Sequence, residues 1–226
     1  MSFLPVFHYI KEMPVELLIF DLDGTLVDSS VDIRNAINYA LELYRVPPVS
    51  VEETIGLIGE GITRLMEKLI EREGLNTDKE SLVERFLAHY SAHLADNTTV
   101  YPGVRETLAE LSGCKKAVVS NKLEALSAKI LGDLGLSAYF DIIIGSDTTS
   151  ERKPSPVPIR YALSQLDIGP GHTAIVGDSN YDIEAGKAAG IRTVAVTYGY
   201  RALDFLKGAD FIINRMDELP EVLKNI

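Results

Sequence analysis

The chain has 226 residues, 46% of them hydrophobic, and 22 Lys+Arg against 33 Asp+Glu leave a net charge of −11. That apolar content excludes a disordered chain, and the length allows one full core with a small second one. The acidic balance repels phosphate backbones and anionic lipid, and no polybasic stretch offsets it, so neither nucleic acid nor a membrane is an expected partner.

The first fourteen residues, MSFLPVFHYIKEMP, have no basic region ahead of their apolar residues and are broken by Pro5, His8, Lys11 and Glu12, so they do not read as a signal peptide. Phe3, Phe7 and Tyr9 offer that segment a way to pack on the core or on a neighbouring chain. No apolar run approaches the roughly 20 residues that span a bilayer. The single cysteine, Cys114, can close no intrachain disulfide. A reducing, cytoplasmic setting is expected, with the chain a monomer or a homodimer.

Short β-branched apolar runs then recur at 15–20, 116–120, 140–145, 173–177, 193–197 and 211–214. Continuous apolar runs suit strands buried on both faces, as in a parallel sheet covered by helices. Helical periodicity fills the intervals, over 104–111, 123–134, 159–166 and 183–189. The alternation predicts an α/β fold with a Rossmann-like parallel sheet core.

Residues 29–95 break that rhythm with three or four helical segments and no strand pattern. Ser29 or Ser30 could cap the first, which runs through Ile33, Ile37, Leu41 and Tyr44 to Pro47 and Pro48; later segments cover 62–73 and 79–94. The expectation is an inserted all-helical cap domain over 29–95, with residues 1–28 and 96–226 forming a discontinuous core. Both connections fall near the carboxyl end of the first strand, where a lid would hinge.

The first strand delivers Asp21-Leu22-Asp23-Gly24. Side chains two apart in an extended segment point the same way, so both carboxylates face one space beyond the strand end. Such a pair needs a proton or a cation to neutralise it. Asp178 and Asp182 follow the run at 173–177, and parallel strands bring Asp178 to the same edge as Asp21. Oxygen ligands from separate strand ends suit a hard cation, Mg²⁺ in particular. Ser120, Asn121 and Lys122 end another strand, and Arg152 and Lys153 follow the next, so a hydroxyl, an amide and cationic groups can surround a tetrahedral anion.

Each feature alone has a plainer reading. An isolated DxD is also a turn, Ser120 a helix cap, Lys122 and Lys153 solvated lysines, and Arg64 a partner for a neighbouring Glu. His89 and His93, four apart, have a zinc-chelating spacing but no third ligand nearby, so a surface pair is expected.

Taken together and in order, DLDGTLVDS (21–29), VVSNK (118–122), KPSPVP (153–158) and GDSNYDIEAGKAAG (177–190) resemble the four signature motifs of the haloacid dehalogenase superfamily. The helical insert after the first motif is similar to that family's type-one cap. KPSPVP and the Gly59-Glu60-Gly61 turn with Arg64 and Met66 look most like phosphoglycolate phosphatases.

The resemblance implies a Mg²⁺-dependent phosphatase that hydrolyses a small phosphorylated metabolite through an aspartyl-phosphate. In it Asp21 is the nucleophile and Asp23 the acid and base. Mg²⁺ is held by Asp21, the Asp23 carbonyl and Asp178, with Asp182 in support. Ser120 and Lys153 bind the phosphoryl group, and Asn121, Lys122, Gly61 and Arg64 contact substrate. Leu123 stands where that subfamily often places proline, which would set the loop differently. A dehalogenase would lack Asp23. A β-phosphoglucomutase-like phosphotransferase and a non-catalytic binding protein on the same fold are the alternatives.

Overall fold

The structure, a computed structural model, describes residues 15–225; the proposed packing of Phe3, Phe7 and Tyr9, and His8, lie outside them. β1 (Leu17–Phe20) is followed by the two-residue β2 (Val27–Asp28). Four helices come next: α1 (Ser30–Leu41), α2 (Val51–Leu57), α3 (Ile62–Glu73) and α4 (Lys79–His93). The chain returns through β3 (Thr99–Val100) to α5 (Val104–Glu110), β4 (Lys115–Val119), α6 (Glu124–Asp133) and β5 (Ile142–Ile144). It ends with α7 (Val157–Leu166), β6 (Thr173–Gly177), α8 (Asn180–Ala189), β7 (Arg192–Val196), β8 (Phe211–Ile213) and α9 (Leu219–Leu223).

Six strands form one parallel sheet in the order β5-β4-β1-β6-β7-β8. The winding therefore starts at the middle and changes direction between β1 and β6, the place where doubly wound sheets open a crevice at their carboxyl edge. Side chains of β1 alternate between two buried faces. Leu18 and Phe20 join Val118 and Val176 on one, and Leu17 and Ile19 join Ala117 and Ile175 on the other. Each such side chain contributes roughly 1.5–3 kcal/mol by leaving water, so a charge at any of them would unseat the central strand.

The helical insert has its own apolar packing. Ile33, Ile37 and Leu41 of α1 meet α4, which buries Leu82, Phe86 and Tyr90, and α3 adds Met66 and Leu69. That packing runs on into the sheet's core.

Three details differ from the sequence reading. The start of α2 is set by reciprocal bonds between Ser50 and Glu53, a capping box that outweighs a seven-residue helix's weak periodicity. The two connections pair as an antiparallel ribbon, Val27 opposite Val100. Neither Ser29 nor Ser30 caps α1 with its side chain; the Ser29 hydroxyl donates instead to Asp23. Just inside α1, the buried Asp32 carboxylate accepts from the backbone N–H groups of Asn97 and Thr98 and from the Thr98 hydroxyl, tying the start of the insert to its end. Among the described residues, no helix is long and apolar enough to cross a membrane.

Candidate active site

Asp21 is the first residue past β1, and its N–H still bonds the Val176 carbonyl of β6 at 3.0 Å, so its side chain leaves the sheet at the switch point. Asp178 leaves β6 one residue beyond Gly177. Gly24 makes the intervening turn at φ +88°, and a Cβ there would lie 2.3 Å from Asp178 Oδ2, so only glycine lets the turn approach this closely. Oxygens of Asp21, Asp178 and Asp182 come within 4.8 Å of one another.

Lys153 enters this acidic group from the loop after β5. Its Nζ lies 2.6 Å from Asp182 Oδ1 and 2.9 Å from Asp21 Oδ1, and its side chain is 2% exposed. Burial pulls the ammonium down, but Asp182 and Asp21 outweigh it and hold it above its ordinary value. Burial pushes Asp21 up to about 6 against the pull of Lys153, with Asp182 and Asp23 adding to the rise. Burial, then Asp21 and Asp182, raise Asp178 well above the usual carboxylate range.

The donor set fits a divalent cation. Asp182 is used on both oxygens: Oδ1 by Lys153, Oδ2 by the Ser179 N–H and hydroxyl. Asp178 Oδ2 accepts from the Tyr200 N–H at 2.6 Å. Among the described residues no hydrogen bond reaches Asp21 Oδ2 or Asp178 Oδ1. Three carboxylates against one ammonium leave negative charge in a nearly dry site, and hard oxygen donors open from two strand ends are what Mg²⁺ accepts.

Asp23 sits one turn further on. Its Oδ1 accepts from Lys122 Nζ at 2.7 Å and from the Ser29 hydroxyl. Ser120 is not a helix cap; its Oγ accepts from the Lys122 N–H at 3.2 Å, which leaves its own proton free to donate towards the cavity. Asn121 spends both amide protons on carbonyls, Gly59 at 2.8 Å and Lys153 at 2.9 Å, while its Oδ1 has no partner among the described residues. Lys122 is not a solvated lysine but is held between Asp23 and Tyr90 of α4, each at 2.7 Å.

A cavity of about 80 Å³ separates this edge from the insert. Its floor carries Asp21, Asp23 and Ser120, and its roof is apolar, with Ile62, Leu65 and Phe86. Gly61 lines it as expected. Its φ is +81°, and a Cβ would meet the Asn121 carbonyl at 3.0 Å, so the insert's backbone rests directly on the loop after β4. Arg64 is the exception among the expected substrate ligands. It lies outside the cavity, paired with Glu67 of α3 at 3.2 Å and with Glu60 of the turn before the helix at 3.9 Å. Leu123 adopts φ −57°, the value a proline ring imposes, so its loop is not reset by the missing proline.

His89 and His93 stack with ring centroids 4.6 Å apart, and His93 bonds Asp96 at 2.8 Å. Contrary to the expectation of no ligand nearby, Asp96 stands three residues beyond His93, though these residues do not converge as a metal cluster. Sequence reasoning missed Tyr90, Tyr200 and Arg201. Tyr200 and Arg201 follow β7 at the same sheet edge, a placement the strand run at 193–197 implied. Arg201 donates to the Ile55 and Ile58 carbonyls at the end of α2, bridging insert and sheet.

Fold and site together define a Rossmann-like α/β enzyme with a buried, cation-compatible acidic centre at its switch point. The family model for haloacid dehalogenase-like hydrolases matches residues 18–196, and the chain belongs to that family. It is 41% identical over 217 residues to a phosphoglycolate phosphatase of Chromobacterium violaceum, covering 93% of this chain and 97% of that one. A phosphoglycolate phosphatase of Aquifex aeolicus is 40% identical over 213 residues, with 93% and 98% covered. The crystal structure of a predicted phosphoglycolate phosphatase from Haemophilus somnus 129PT superposes with a TM-score of 0.85 at 30% identity, covering 92% of this chain and 97% of that one.

Proposed function

We propose that the protein is a Mg²⁺-dependent phosphatase that hydrolyses a small phosphate monoester, 2-phosphoglycolate foremost, through an aspartyl-phosphate on Asp21. The observation that carries this reading is the meeting of Asp21, Asp178 and Lys153 at one sheet edge, beside a small cavity. The names of the relatives support the substrate.

Asp21 Oδ2, free of hydrogen bonds, is the attacking oxygen or a cation ligand, while Oδ1 is held by Lys153. Attack forms the Asp21–phosphorus bond as the ester P–O bond breaks. Asp23 gives its proton to the leaving oxygen, then takes one from the water that cleaves the acyl phosphate. The Ser120 hydroxyl and Lys153 hold phosphoryl oxygens and offset charge that grows there. Asp182 keeps Lys153 aimed, and Asp21, the Asp23 carbonyl and Asp178 would hold Mg²⁺, which when bound offsets the repulsion between carboxylate and phosphate. The helices of 29–95 act as a cap that closes the cavity over the substrate and excludes water, with residues 1–28 and 96–226 as the core.

The test is phosphate release from 2-phosphoglycolate, sugar phosphates, nucleotides and pyrophosphate, with Mg²⁺ and with chelator. Metal-dependent release that prefers 2-phosphoglycolate about 10-fold or more in kcat/KM, and that Asp21→Asn lacks, supports the reading. Equal release by wild type and Asp21→Asn rejects it.

A further inference from the structure

Lys122 Nζ joins the sheet edge to α4 of the helical insert. It donates to Asp23 Oδ1 on the sheet edge and to the Tyr90 hydroxyl on α4, both at 2.7 Å. The three groups are enclosed: Lys122 and Asp23 side chains are 8% and 10% exposed, and Tyr90 is 1% exposed.

With Oδ1 taken by Lys122 and by the Ser29 hydroxyl, Oδ2 is the Asp23 oxygen left to exchange a proton with substrate. Lys122 is one of two donors that hold Oδ1, and its Nζ is itself held by the Tyr90 hydroxyl. Tyr90 belongs to the insert, which also meets the core where the Gly59 carbonyl accepts from Asn121 and the Ile55 and Ile58 carbonyls accept from Arg201.

The geometry points to Tyr90 as a positioning residue: through Lys122 it aims the Asp23 carboxyl at the leaving oxygen, and it does so only while the insert is seated. Resting on the phosphatase reading above, this makes proton delivery conditional on closure. In the step concerned, the Asp21–phosphorus bond forms and the bond to the leaving oxygen breaks. The electron pair stays on that oxygen, and the proton of Asp23 neutralises it. An alkoxide leaving group needs that proton; acetate, leaving from acetyl phosphate, does not.

The experiment compares kcat/KM of wild type and Tyr90→Phe, with Mg²⁺, on ethyl phosphate, 2-phosphoglycolate and acetyl phosphate. This parameter covers steps up to transfer onto Asp21 and leaves out the later attack of water. Ethyl and acetyl phosphate are similar in size and carry uncharged tails, so they differ mainly in the leaving group. The expected result is a fall of about 10-fold on ethyl phosphate and 2-phosphoglycolate, part of what a general acid supplies, and less than 2-fold on acetyl phosphate. Lys122→Gln should show the same selectivity.

A uniform fall on all three esters, or none on any, overturns the proposal. A fall on 2-phosphoglycolate alone also overturns it, since Lys122 would then be holding the substrate carboxylate. Asp23→Asn separates the two claims: if it slows acetyl and ethyl phosphate equally, the acid reading of Asp23 fails whatever Tyr90 does. If it is selective and Tyr90→Phe is not, only the present inference fails.

Discussion

Lys153 Nζ and Asp182 Oδ1 lie 2.6 Å apart with both side chains 2% exposed. A buried pair of this kind adds little over an apolar pair, but it cannot be halved without stranding a charge. Lys153→Met leaves Asp182 and Asp21 without their cation. It should destabilise the chelator-treated protein by about 3–5 kcal/mol in urea unfolding, and Mg²⁺ should restore part of that loss. A change below 1 kcal/mol would show that the ammonium is not what holds these carboxylates.

Asp21 titrates near 6, above its ordinary value, because burial disfavours its charge. A carboxyl raised in the folded state stabilises it while protonated, and that contribution is lost as pH rises from about 4 through 6. In chelator, Asp21→Asn should therefore match wild type near pH 4 and exceed it above pH 7, by on the order of 3 kcal/mol, the free energy that parts an ordinary aspartate from one titrating near 6. Melting curves across that range check the crossing. The same variant should lose activity by on the order of 10⁴-fold, since the nucleophile is gone.

Arg64 and Arg201 make opposite forecasts. Arg64→Ala should leave kcat/KM within about 2-fold, because its half-exposed side chain pairs with the half-buried Glu67 of α3 and Glu60 of the turn before it, outside the cavity. Arg201→Ala removes the bonds to the Ile55 and Ile58 carbonyls and should lower kcat/KM about 10-fold, roughly 1.4 kcal/mol. Steady-state kinetics with 2-phosphoglycolate would reveal a reversed ranking, which would return Arg64 to the substrate site.

Asp32→Ala leaves the Asn97 and Thr98 N–H groups without their acceptor, while the Thr98 hydroxyl can still donate to the Leu94 carbonyl. A loss of about 1–3 kcal/mol is expected, with amide exchange accelerated around 97–100 more than in β1. Uniform exchange throughout the chain would count against a local role.

The sheet was legible because its strands carry unbroken apolar runs, and β6 matches its run from Thr173 to Gly177 without a residue's difference. Asp21, Asp178 and Lys153 were legible because strand ends in a parallel sheet share an edge. Tyr90 was not, since its phenol looks in sequence like any other apolar position of α4; Lys122, reaching over from the loop after β4, gives it its polar partner. Arg64 misled because a cation on the insert can face either way, and the rotation of α3, set by burial of Leu65, Met66 and Leu69, turns it outward. The β2–β3 ribbon was hidden by length, as two residues carry no period.

That ribbon places Val27 and Val100 side by side. The polypeptide therefore departs for its four helices and comes back at one spot, with a single pair of adjacent splice points. A graft exchanging everything between them would leave every hydrogen bond of the six-stranded sheet intact, so new ester preferences can be tried by transplanting one block.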